Sequence, residues 1–321
     1  MNRDEREFVP AGLIGAGPAG EADGLSAGPS GLCAPAGRPG MTVRGALRPV
    51  AAAAGLLLLP LLSGCWGTVT RIDSPQRAAQ GYVLILPGIE GKSYLNTRIA
   101  KGLNDGNVFY TIEVYDWTAG SVMLFPVTLR YLERNKREAA IVADKILAYQ
   151  RAHPGRPVHL IGHSGGGGLA VLVLEALPAD RPITSALLLA PAIAPSYDLR
   201  RALRRTTAGI WNYYSPYDVG FLKLGTTIMG TIDGRHVTAA GQKGFEIPLG
   251  LDQEGRQLYG KLYQQCYNSR MRESGHTGLH TGWARRRFVA EWLAPLINSQ
   301  RPPPPAPASR PAPRAPATRG P

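Results

Sequence analysis

One pentapeptide in the chain has the residue types and spacing of a nucleophile: Gly162-His163-Ser164-Gly165-Gly166. An apolar run with strand composition, Val158–Ile161, leads into it, and Leu169–Leu177 beyond it has helical composition. A serine on a sharp turn between strand and helix sits in a strained backbone conformation. Small residues two before and two after it let both elements approach. The hydroxyl then stands clear of the sheet edge, over a helix N-terminus that favours developing negative charge. The chemistry this suits is attack on an acyl carbonyl. The four glycines at 165–168 also suit a phosphate-cradling turn. The chain has no G-x-x-x-x-G-K-[ST], however, and no G-x-G-x-x-G that opens a first βαβ unit.

With this strand–turn–helix context, the chain resembles the α/β-hydrolase superfamily from roughly Gly81 to Ser299. The resemblance implies a nucleophile, an acid and a histidine in that chain order. The acid position after a late strand falls on Asp218, just past Trp211–Tyr214 and the Ser215-Pro216 turn. Asp233, in an Ile-Asp-Gly turn, is its main rival. The base position falls on Ser274–Trp283, which holds two histidines. His280 is preferred, being nearer the closing helix with Phe288, Val289 and Leu293. His276 follows a glycine, as the family's base often does, and stays as the alternative. His163 flanks the nucleophile but points elsewhere in such an elbow, and His159 reads as structural. The oxyanion hole would use the amide of Gly165 and one from the loop Leu86-Pro87-Gly88-Ile89-Glu90. Ile89 is the choice there, with Glu90 the alternative. Pro87 departs from the histidine often found in that loop.

The implied activity is serine-hydrolase cleavage of a carboxylic ester through an acyl-enzyme, with no metal or organic cofactor. Epoxide and haloalkane chemistry on this fold usually takes a carboxylate nucleophile, which Ser164 disfavours. Thioester or peptide cleavage is the alternative, as is a non-catalytic envelope interaction domain; a complete Ser, Asp and His set disfavours the last. The Gly/Thr-rich stretch 220–256 is expected to help form the substrate pocket, lined by Tyr213, Tyr217 and Trp283.

The elements that must position these residues alternate strand and helix. Tyr82–Leu86, Val108–Tyr115, Val158–Ile161, Ile183–Ala190, Gly209–Tyr214 and Leu258–Cys266 read as strands. Residues 92–103, 134–152 and 284–297 read as helices, as do Leu169–Leu177 and a short stretch near Leu199–Arg204. The pattern predicts an α/β fold: a mostly parallel sheet with helices on both faces, lacking the first strands of the full α/β-hydrolase fold.

Of 321 residues, 44% are apolar and the formal charge is +13. The basic residues are dispersed, without aromatic interleaving or zinc-ligand spacing, so nucleic-acid binding is not expected. Residues 1–40 read as disordered, or as an extension upstream of a true start at Met41. From Met41, Arg44 and Arg48 precede an apolar Val50–Leu62 and then Leu62-Ser63-Gly64-Cys65. The apolar run is short for a hydrocarbon core of roughly 30 Å and reads as a signal peptide. Its end resembles a bacterial lipobox, which implies cleavage after residue 64 and a lipid anchor on Cys65. Attachment to the membrane outside the cytoplasm, in the cell envelope, follows as an expectation. Residues 65–80 read as anchor and tether, 81–299 as the hydrolase domain and 300–321 as a Pro/Arg-rich disordered tail. Cys266 reads as a lone buried thiol. A small-molecule or lipid ester is the expected substrate, and the sequence does not fix the oligomeric state.

Overall fold

The computed structural model describes residues 71–118, 131–219 and 230–300. The extension at residues 1–40, the segment read as a signal peptide, Cys65 and residues 301–321 of the tail lie outside these.

The described residues build one seven-stranded sheet. Its strands are β1 (Arg71–Ile72), β2 (Tyr82–Leu86), β3 (Thr111–Val114), β4 (Val158–His163), β5 (Ile183–Leu189), β6 (Thr206–Tyr214) and β7 (Leu262–Cys266). The order across the sheet is β1-β3-β2-β4-β5-β6-β7. β1 pairs antiparallel with β3, through Arg71 opposite Glu113, and every other pairing is parallel. The fold class is therefore the expected one, α/β, with a mostly parallel sheet and helices on both faces. One detail differs. Part of the segment read as tether is ordered, as β1 and the short helix α1 (Pro75–Ala78). Two residues are too few to show a strand's alternation in sequence.

Strand parity divides the core, because successive side chains leave a strand on opposite faces. On β2, Tyr82, Leu84 and Leu86 join one cluster with Leu160 and Leu188. Val83 and Ile85 join the other with Ile161, Leu187 and Leu189. Both faces are covered, which is why β2 is apolar at every position rather than alternating. The first cluster takes in α3 (Leu132–Ala152) and α4 (Gly165–Ala176). The second takes in α2 (Tyr94–Asp105) and the C-terminal α8 (Arg286–Phe288) and α9 (Ala294–Ser299), joined by a π turn at Val289–Leu293. Gly102 and Gly106 let these helices close on α2. A Cβ at either would collide with backbone or side chains of residues 286–294.

Small helices α5 (Arg200–Leu203), α6 (Ala240–Lys243) and α7 (Gln253–Tyr259) complete the chain. The Leu258–Cys266 run is split: Leu258 and Tyr259 end α7, and the strand starts at Leu262. Asp252 caps α7 through Gly255 N–H at 2.7 Å, so the helix is locally signalled. Cys266, on the edge strand, is half-buried and disulfide-bonded, which corrects the reading of a lone buried thiol. Its partner lies outside the described residues.

Candidate active site

Ser164 sits between the last residue of β4 and the first of α4, with φ 55° and ψ −119°. The left-handed φ costs energy for any residue with a Cβ and persists because the surroundings over-determine it. Ser164 N–H donates to Leu189 O at 2.9 Å, and Ser164 O accepts from Ala192 N at 2.9 Å. The flanking glycines are sterically required. A Cβ on Gly162 would strike the backbone of Gly166, and one on Gly166 would strike the carbonyls of Leu86 and Pro87. The pentapeptide spacing is thus the footprint of two backbones touching beneath the serine.

Asp218 follows β6 in a turn in which its N–H donates to Ser215 O at 3.1 Å. Its side chain is buried, and Oδ2 lies 2.6 Å from His280 Nδ1. His280 opens a 3-10 turn, His280–Ala284, that leads into α8. Ser215 Oγ donates to Gly278 O at 2.6 Å and ties the acid's loop to the histidine's loop. Ser164, Asp218 and His280 are each more than nine-tenths buried. All three follow carboxyl ends of parallel strands, where ligands bind in open α/β sheets.

The rival residues have other partners. Asp233 Oδ1 accepts from Ala194 N at 3.1 Å and braces a turn, with Arg235 beside it. His276 is fully buried, with its ring against Tyr267, Trp283 and Phe288. Its Nδ1 accepts from Gly278 N at 2.8 Å. Burial and the nearby Arg285 charge push its pKa down to about 3, so it is the neutral imidazole that shapes the turn. His159 is likewise held down to about 3 by burial, with Ser185 Oγ 2.8 Å from its Nδ1.

The loop after β2 lies against the elbow. A Cβ placed on Gly88 would come within 3.2 Å of Ser164 Cβ, and one on Gly165 within 3.3 Å of both Ile89 Cγ2 and the Trp117 ring. Trp117 Nε1 donates to Pro87 O at 2.8 Å, so a buried indole fixes this loop. Ile89 and Gly165 are therefore brought together beside Ser164. Pro87 matters through its carbonyl, not its side chain.

Sequence reasoning missed a second acid–histidine pair here. Glu90 Oε1 lies 3.9 Å from His163 Nδ1. His163 Nε2 lies 3.2 Å from the backbone oxygen of His280, and the two rings are tilted at 4.9 Å. Burial alone would lower the His163 pKa, but Glu90 outweighs it and the net direction is upward. Burial likewise opposes ionisation of Glu90, and His163 outweighs that, holding the carboxyl low. The only signal in sequence was an acid in the oxyanion-type loop and a histidine in the pentapeptide, far apart in the chain.

Two expected pocket residues belong to the core. Tyr213 and Trp283 are buried and pack on each other and on Phe288. Their strand and turn positions point into the second cluster. Tyr217 is half exposed, with its ring edge-on to Tyr267. Residues 119–130 and 220–229, which continue the chain from Trp117 and Asp218, lie outside the described residues. Among the described residues no group of His, Cys, Asp and Glu is arranged to hold a metal, and no helix is long and apolar enough to cross a membrane.

No protein-family model and no curated sequence matches the chain. Several solved structures are similar to it. A Xanthomonas campestris protein described as a hydrolase of the α/β superfamily shares 17% identity, covering 68% of this chain and 99% of its own, with a TM-score of 0.42. Dienelactone hydrolase of Anabaena variabilis shares 14% identity over 70% of this chain and 88% of its own, with a TM-score of 0.42. A poly(3-hydroxybutyrate) depolymerase of Bordetella parapertussis shares 15% identity over 70% and 80%, with a TM-score of 0.41.

Proposed function

We propose that the protein is a serine hydrolase that cleaves a carboxylic ester through an acyl-enzyme. The observation that carries this is the buried Asp218–His280 pair at 2.6 Å, on the same strand-end edge as Ser164 in its strained elbow. His280 takes the Ser164 proton as Oγ attacks the ester carbonyl carbon. The amides of Gly165 and Ile89 receive the developing oxyanion. Asp218 fixes the His280 tautomer, with the proton on Nδ1, and stabilises the imidazolium without taking its proton. The tetrahedral species collapses, the carbon–oxygen bond to the alcohol breaks, and His280 protonates the departing alkoxide. Water then enters, gives its proton to His280 and releases the acid, and the proton returns to Ser164.

Labelling with a fluorophosphonate tests the reading. Folded wild type is expected to label and Ser164→Ala to stay blank. A folded wild type that does not label sinks it. A p-nitrophenyl ester chain-length series then defines the acyl preference.

We further propose that the mature protein begins at Cys65, carries a lipid anchor there, and works in the cell envelope. The support is the sequence alone: basic residues, an apolar run and Leu62-Ser63-Gly64-Cys65. Intact mass spectrometry of the envelope fraction is expected to show acylated Cys65. A mature chain retaining residues 1–64 overturns the anchor.

A further inference from the structure

A cleft of about 550 Å³ lies between α2, the 3-10 turn Ser269–Arg272 and the start of α8. Five arginines line it. Two are neutralised: Arg286 pairs with Asp105, and Arg287 with Glu291 at 2.6 Å. The other three, Arg98, Arg272 and Arg285, make no ion pair among the described residues. The remaining carboxylate on the wall, Glu273, is exposed and acts on Arg287.

The guanidinium groups of Arg98 and Arg285, both half-buried, lie close enough for the Arg285 charge to act on Arg98. Burial and the Arg285 charge both depress the Arg98 pKa. The Nε of Arg285 is buried without an acceptor, an uncompensated donor on a charged group. Arg98 is held over the Tyr94 ring at 5.5 Å, which restrains it in place. An anion with several oxygens resolves all of this together. It supplies the Arg285 Nε with an acceptor and screens Arg98 from Arg285. Forked guanidinium donors match phosphate oxygens well. The cleft is larger than one phosphate and falls within the usual range for small organic ligands, roughly 300–1,000 Å³.

We infer that this cleft is a binding site for the phosphate group of an organic phosphate, held by Arg98, Arg272 and Arg285. It is separate from Ser164, and the inference does not depend on the hydrolase reading. The phosphate could belong to a soluble metabolite or to a lipid headgroup, and the two share the same recognition chemistry.

Thermal unfolding of the full chain tests it. The two probes are glycerol 3-phosphate and monomeric dihexanoyl phosphatidylglycerol, each against chloride at matched ionic strength. One probe is expected to raise the wild-type Tm saturably, by about 3 °C at ten times its Kd. The probe that does so identifies the source. Arg98→Gln and Arg285→Gln should abolish the response. Exposed Arg272→Gln, which cannot disturb the core, should raise the apparent Kd about tenfold. Arg181→Gln, away from the cleft, should respond as wild type. If neither probe gives a saturable response, the inference falls. It also falls if Arg272→Gln and whichever of the two other variants folds respond as wild type does.

Discussion

His276→Ala separates the two histidines of the Ser274–Trp283 segment. The His276 ring fills the turn that carries His280, so its loss should be paid in stability. Removing Nδ1 leaves the buried Gly278 N–H without its 2.8 Å acceptor, at about 1–3 kcal/mol. Removing the ring from between Tyr267, Trp283 and Phe288 leaves a cavity that costs about 2 kcal/mol more. A total of about 4 kcal/mol lowers the Tm of a domain this size by about 10 °C. The pH dependence is a second signature. His276 titrates near 3 when folded and near 6.5 when unfolded. Between those values the unfolded chain binds the extra proton. Wild-type stability therefore falls as pH drops, by about 1.4 kcal/mol per pH unit from this group. His276→Ala should lose that part of the slope between about pH 6 and pH 4. Urea unfolding at several pH values measures both quantities. Ester turnover by folded His276→Ala should persist, whereas folded His280→Ala should lose turnover by at least about 10⁴-fold. If His276→Ala is as stable as wild type and inactive while His280→Ala stays active, the assignment of the base is wrong.

Asp218→Asn should fold normally and lower kcat by about 10⁴-fold, because the amide favours the wrong His280 tautomer; steady-state kinetics on a p-nitrophenyl ester measures this. Gly166→Ala forces a methyl into the Leu86 and Pro87 carbonyls and should cost more than about 3 kcal/mol, seen as a collapse of the urea midpoint. Glu90→Gln should destabilise by about 1 kcal/mol, discounted because the Glu90 side chain still reaches solvent. The raised His163 contributes fully below pH 6.5 and loses its contribution as pH rises through its folded pKa. The lowered Glu90 contributes above pH 4.5 and loses its contribution as pH falls through its folded pKa. The difference between wild type and Glu90→Gln should therefore be largest between pH 4.5 and 6.5; a difference independent of pH refutes the ion pair.

Local sequence determined what local sterics control. The elbow at Ser164 was legible because Gly162 is demanded by the backbone of Gly166, within the same pentapeptide, while Gly166 is demanded by the distant carbonyls of Leu86 and Pro87. The parallel strands were legible because burial on both faces leaves runs such as Tyr82–Leu86 with no polar position. The acid's place was legible once strand order was known, since Asp218 follows the turn that ends β6. Tertiary structure decided the rest. Two histidines four residues apart look alike in sequence, and which one turns toward Asp218 depends on how Ser215 and Gly278 join two distant loops. Tyr213 and Trp283 looked like pocket residues, yet strand parity and the closing helix sent them into the core. The pairing of Glu90 with His163 and the arginine cleft could not be read from spacing along the chain. Their members come from separate elements, and charges attract or repel by distance in space rather than by spacing along the chain.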